Sequence, residues 1–321
     1  MRLLIRIVTA IFAALFVVSL VFSARTTTTL SRAFSTASPE SEKRTHHIAV
    51  FLPEPSSLFY ERVRKGASEA ARRYDAALSF HPVGASSPEF TLARYTGIDG
   101  AIIHPGLDTK QIRRRLEEFD RAGISIVLIE HGVADNSPWA FVGTNNFDVG
   151  RKIGETILSL SSKPSDETER IAIVYSDKSP SMSSEAELIE LGLTTVLNGR
   201  RPASIARRRT GVNPLDAENL TYQILRNEPE LSTLIFTDTN DTLAAIQVII
   251  DLNLVGHLDV IGFGITDAIR DYLDRGVLAA TIVVNPELIG AEAVRVMTSL
   301  IRDGYSPGYI DTGAEIVRGT R

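Results

Sequence analysis

The chain contains no cysteine. That absence excludes thiolate catalysis, disulfides, Cys-ligated metals and a lipid anchor carried on a Cys. Other signatures of chemistry are missing as well: there is no phosphate loop, no Gly-x-Ser-x-Gly elbow and no metal-ligand spacing. The nearest approach to a dinucleotide fingerprint, Gly262-Phe-Gly264, fails because Asp267 stands where the third Gly belongs. Asp238, Asn240 and Asp241 lack the Gly and the closing Glu of a calcium loop. Excess positive charge is absent too. The net charge is −5, so nucleic acid is not expected as a partner, and the triplets Arg113-Arg114-Arg115 and Arg207-Arg208-Arg209 read as solvated surface. No cofactor, no metal and no catalytic residue is expected, and the chain reads as a binder rather than an enzyme.

With 321 residues, 44% hydrophobic and 23% charged, the chain has enough material for two globular domains. They are preceded by a segment of a different kind. Arg2 and Arg6 lead into a mostly apolar run from Ile7 to Phe22, and Val21-Phe22-Ser23 offers small residues at positions −3 and −1 of a cleavage site. Residues 1–23 are therefore a signal peptide or an uncleaved signal anchor, the run being short for a membrane span. Residues 24–46, rich in Thr and Ser without apolar periodicity, form a flexible tether. Both options for the export segment place the bulk of the chain outside the cytoplasm, either free or anchored by residues 7–22.

The globular part opens with Ile48-Ala-Val-Phe-Leu52, an apolar run stopped by Pro53 and Pro55, as in a strand buried on both faces of a parallel sheet. From Leu58, Tyr60, Val63, Ala67, Ala70 and Ala71 recur at helical spacing to about Tyr74, with Ser56 and Ser57 as candidate N-caps. Ligands of open α/β sheets sit beyond the carboxyl ends of the strands. Ser57, Phe59 and Tyr60 stand there, and aromatics beside polar groups suit a sugar. Further strands are expected at 77–82, 99–104, 125–129 and 140–143, a stunted helix within 84–96, and full helices from Gln111 to Ala122 and through Gly150 to Leu158. The alternation then repeats: strands at 171–175, 203–207, 234–237 and 259–263, helices at 185–197 and 216–227, and a last helix from Pro286 to about Arg302. Such alternation on both sides of Thr144-Asn145-Asn146 predicts two doubly wound parallel-sheet α/β domains.

Several of these segments resemble the sugar-binding periplasmic proteins of the ribose, galactose and xylose type, which share their fold with LacI-type effector domains. The likeness rests on the strand, polar loop, paired aromatics and Gly66 of the first segment; on Asp99-Gly before a buried strand; on Ala140-Phe-Val-Gly-Thr-Asn-Asn; and on Asn240-Asp241 at the head of a helix. It implies a type I periplasmic binding protein with a three-segment hinge near Thr144, Val284 to Asn285 and Ile310 to Asp311. The lobes are then 47–144 plus 285–310 and 145–284 plus 311–321. It also implies ligand contacts at Ser57, Phe59, Tyr60, Glu130, His131, Asn145, Asn146, Asn240 and Asp241. Read on their own, Asn145 or Asn146 also fits an N-cap, though one cap needs only one Asn, and Phe59 and Tyr60 also fit a hydrophobic staple.

The resemblance fails at three positions, where Glu187, Gly264 and Val284 replace the Arg, Asp and Gln that relatives commonly use. Ser183, Thr266 and Asn285 are candidate replacements. A DNA-binding relative would need an N-terminal helix-turn-helix where this chain carries its export segment. The resemblance thus implies a monomeric receptor that closes on a sugar-like small molecule. Its partner in the membrane is an ABC permease or, in the alternative reading, a sensor histidine kinase.

Overall fold

The computed structural model describes residues 46–53, 58–83, 88–93, 95–106, 109–132, 138–161, 166–177, 185–211, 213 and 215–319. The export segment, residues 24–45 of the tether, Ser57 and Ser183 lie outside the described residues, and His46, placed at the end of the tether, is instead the first residue of a strand. Among the described residues no helix is long and apolar enough to cross a membrane.

Two six-stranded sheets carry the fold. The first is built from β1 (His46–Pro53), β2 (Ala76–Val83), β3 (Gly100–Ile103), β4 (Ser125–Ile129), β5 (Ala140–Gly143) and β11 (Tyr309–Asp311), in the order β11-β5-β4-β3-β1-β2. The second holds β6 (Glu169–Ser176), β7 (Ala203–Thr210), β8 (Thr233–Phe236), β9 (Asp259–Phe263), β10 (Ala280–Val284) and β12 (Ala314–Arg318), in the order β12-β10-β9-β8-β6-β7. Reading outward from β2 and from β7, the two orders match strand for strand. Every pairing is parallel except β10 with β12. The exception follows from connectivity: β11 runs up its sheet with the other strands, so the chain enters β12 from the joined end and must run down.

Helices cover both faces of each sheet. They are α1 (Leu58–Arg73), α2 (Pro88–Ala93), α3 (Thr109–Arg121), α4 (Asn146–Leu160), α5 (Ala186–Leu197), α6 (Asp216–Asn227), α7 (Thr239–Asp251), α8 (Asp267–Asp274) and α9 (Pro286–Asp303). Strand alternation divides the cores. Ile48, Val50 and Leu52 pack under α1 and α9, while Ala49 and Phe51 meet the α2 and α3 side. In the second sheet Ile171, Ile173 and Tyr175 face α4 and α5, and Ala172 and Val174 face α6, α7 and α8. Pro82 is tolerated within β2 because β2 is an edge strand.

Each sheet has one pair of helices in unusually close contact, and glycine is the reason. A Cβ on Gly66 of α1 would lie 1.9 Å from the Glu287 carbonyl oxygen, and one on Gly290 of α9 2.1 Å from that of Val63. Gly150 of α4 and Gly192 of α5 are related in the same way, at 2.0 Å from the Ile189 oxygen and 2.1 Å from the Phe147 oxygen. Backbone meets backbone only where no side chain intervenes.

The chain passes between the sheets after β5, after β10 and after β11. The first and last passages run side by side. Thr312 N–H donates to the Gly143 carbonyl at 2.9 Å, and Asp311 Oδ1 accepts from the N–H groups of Asn145 at 3.1 Å and Gly313 at 2.8 Å. Beyond the sequence expectations the structure adds β10, α8, too short at eight residues to leave a clear period, and the antiparallel β12.

Candidate functional site

The carboxyl ends of the strands carry a row of polar residues, and helix capping accounts for four of them. Asn145 Oδ1 accepts from Asp148 N–H at 3.1 Å, and Asp238 Oδ1 from Asn240 and Asp241 N–H at 2.9 and 3.1 Å. Thr266 Oγ1 accepts from Ile269 N–H at 3.2 Å, and Asn285 Oδ1 from Leu288 N–H at 3.0 Å. These bonds satisfy orphan donors of α4, α7, α8 and α9. The expected replacements Thr266 and Asn285 are thus engaged as caps. Asn145 is the cap of α4, which leaves Asn146 as its first helical residue.

In the first sheet, Phe59 and Tyr60 open α1 with their rings edge to face, centroids 5.2 Å apart. Phe59 is half-buried, whereas Tyr60 is buried in the core beneath α1. The Tyr60 hydroxyl meets Nε2 of His104, just past β3, at 3.1 Å. The Gly106 N–H donates to Nδ1 of the same ring at 3.2 Å, which leaves the proton of a neutral imidazole on Nε2, directed at Tyr60. Burial, reinforced by the charge of His131, lowers the His104 pKa to about 3. His104 is thus a neutral donor across the physiological range. Sequence reasoning read it only as the end of a strand; an imidazole at the carboxyl end of an apolar run was the available signal.

Glu130 and His131 follow β4. Glu130 is buried and holds a φ of +62°, a left-handed conformation uncommon outside glycine. His131 is buried also, and its Nδ1 lies 3.3 Å from Glu185 Oε1 at the head of α5. Tyr309, stacked on Phe141 at 5.4 Å, gathers further charge. Its phenol is pushed up to about 12, by burial first and then by Asp311, Glu185, Glu130 and Asp148. Glu130, His131, Glu185 and Tyr309 therefore form one group where the sheets are joined. At the first passage, Thr144 Oγ1 and Asn146 Oδ1 are buried and have no hydrogen-bond partner among the described residues.

In the second sheet, Asn240 is exposed at the start of α7. Asp241 beside it is 1% exposed, and its carboxylate accepts from the Thr210 hydroxyl. Gly264, where relatives carry Asp, has a φ of +82°, and a Cβ there would lie 2.2 Å from Thr239 Oγ1. Backbone and neighbour both demand glycine, so the replacement is built into the turn. The arginines of the second triplet are paired, Arg207 with Glu190, Arg208 with Glu228 and Arg209 with Asp177.

The fold has a counterpart in known proteins. Residues 48–305 match the family described as periplasmic binding protein domain. The chain belongs to that family. Among solved structures similar to this periplasmic binding protein is GanP, a glucose-galactose binding protein from Geobacillus stearothermophilus. It is 21% identical, with 86% of this chain and 98% of that chain covered and a TM-score of 0.74. A periplasmic solute-binding protein of an ABC transporter from Actinobacillus succinogenes 130z, with bound D-allose, is 18% identical over 85% of this chain and 98% of that one, with a TM-score of 0.73. The XylFII-LytSN complex contains a chain 23% identical over 85% of this chain and 97% of that chain, with a TM-score of 0.68. No curated protein sequence matches. At these identities the solved structures establish the fold, two parallel-dominated sheets with helices on both faces.

Proposed function

We propose that this periplasmic binding protein is an extracytoplasmic receptor that closes on a sugar or sugar-like molecule and delivers it to an ABC importer, without catalysing a reaction. The lobes are residues 47–144 plus 285–310 and 145–284 plus 311–321, hinged at the three passages between the sheets. The observation that carries the reading is the first passage: buried oxygens of Thr144 and Asn146 have no partner among the described residues, beside Glu130, whose N–H donates to the Val142 carbonyl. Such oxygens cost about 1–3 kcal/mol each unless a donor reaches them. Sugar hydroxyls are donors that two acceptor types, carboxylate and amide, would hold together. Similar structures include a glucose-galactose binding protein and a solute-binding protein with bound D-allose.

Closure follows only if the ligand binds the closed form better than the open one, so contacts must come from both lobes. Glu130, His131 and Phe59 stand on one side, Asn146, Asn240 and Glu185 on the other, with Asn145 and Asp241 reaching the ligand after release from their cap and Thr210. The test is a thermal-shift screen of residues 46–321 against pentoses, hexoses, polyols and sugar phosphates. A ligand at about 100 times its Kd adds roughly 2.7 kcal/mol, a rise of about 5–10 °C. Glu130→Gln is expected to weaken a hit about tenfold or more. No hit across the panel, or a hit indifferent to Glu130→Gln, refutes the reading.

A second reading, presentation of the closed form to a sensor histidine kinase from a membrane-held position, is favoured by the likeness to the XylFII-LytSN complex. Neighbouring genes for a permease and ATPase argue transport. A kinase and response regulator argue sensing.

A further inference from the structure

Glu185 occupies the position before α5 where a side chain ordinarily caps the helix, yet it makes no capping hydrogen bond. Its carboxylate instead reaches out of its own lobe to His131 Nδ1, 3.3 Å away at the end of β4. The two side chains are 21% and 11% exposed, so the contact is largely shielded from solvent. The hydrogen bonds of the hinge are backbone donors to Asp311 and Gly143; this pair is a side-chain contact between lobes. Other groups facing it come from the first lobe: His104 beyond β3, Glu130 beside His131, and Tyr309 on β11.

We propose that Glu185 is a positioning residue for closure, a latch that holds the lobes together through His131 before any ligand arrives. The inference rests on the two-lobe reading given above. A carboxylate and an imidazole this close and largely shielded from solvent form a contact that exists only while the lobes are together. With the pair partly exposed, its removal changes the ratio of closed to open by about twofold to fivefold.

The absence of cysteine makes a direct test available. Arg114→Cys on α3 and Glu218→Cys on α6, both at exposed positions in different lobes, carry a spin-label pair whose distance distribution is measured without any sugar by double electron–electron resonance. The short-distance population is expected to fall by that factor in Glu185→Ala and in His131→Ala, and the double substitution should lose no more than either alone, while thermal unfolding of each stays within a few degrees of the otherwise native chain. A distance distribution unchanged by both single substitutions, or a double substitution that loses the sum of the two effects, overturns the latch. Because no sugar is present, either result leaves the sugar screen to stand or fall separately.

Discussion

His104 shows how one buried side chain sets the behaviour of its surroundings. It is 1% exposed, accepts from Gly106 and faces Tyr60, so protonation would add a buried charge and break the bond from Gly106. Its native pKa is about 3 and its unfolded value about 6.5. Between these values the unfolded chain binds a proton that the native chain refuses. Stability contributed by His104 is therefore complete above about pH 6.5 and declines as pH falls toward 3, by at most about 1.4 kcal/mol per pH unit. Urea unfolding at pH 7.5, 5.5 and 4.5 checks this. His104→Gln is expected to be less stable at pH 7.5, and the gap to the native chain should narrow as the medium is acidified. A gap constant with pH would assign the acid sensitivity elsewhere.

Between elements, the glycine contacts decide how closely helices pack. On Gly192 a methyl group would stand 2.1 Å from the Phe147 carbonyl oxygen and 2.9 Å from the Arg151 nitrogen, both backbone atoms of α4. Gly154 is the useful contrast, since its methyl group would lie 2.9 Å from Val196 Cβ and 3.2 Å from the Leu193 carbonyl oxygen, an overlap that a small shift relieves. Alanine gains about 1 kcal/mol of helix propensity at either position. Overpacking against backbone costs about 1–3 kcal/mol or more. Gly192→Ala is expected to lower the unfolding temperature by several degrees, and Gly154→Ala by clearly less. Equal losses would mean that the close approach of α4 and α5 yields easily.

For the whole molecule the decisive part is small, namely where the first and last passages between sheets are tied together. Asp311 Oδ1 accepts from Asn145 on one passage and Gly313 on the other, so the two strands bend as one. Asp311→Asn keeps an acceptor oxygen in place, and Asp311→Ala removes it. Asp311 is exposed, so the loss on going to alanine is about 1 kcal/mol, or roughly 2–4 °C in Tm. Small-angle scattering of the alanine variant is expected to report a broader, more open particle. If alanine and asparagine behave alike in both measurements, the carboxylate oxygen does not couple the passages.

Strand and helix positions were legible in the chain because burial on both faces produces apolar runs, as at Ile48 to Leu52 and Ile171 to Tyr175, and because helical spacing survives in long segments such as α3 and α9. The short α8 and the antiparallel β12 were not legible, since eight residues hold barely two helical turns and strand direction depends on where the chain arrives. For the site, sequence placed polar residues at the strand ends and stopped there. Whether such a residue caps a helix or is left over depends on the positions of backbone N–H groups that only the fold defines. Folding made Asn145 and Asp238 caps, left the Asn146 oxygen buried without a described partner, locked Asp241 to Thr210, and brought His131 against Glu185, 54 residues away along the chain. Composition and period determine local structure because they act over a few residues. Contacts between residues on different sheets arise because the two sheets share three passages, and no local pattern encodes them.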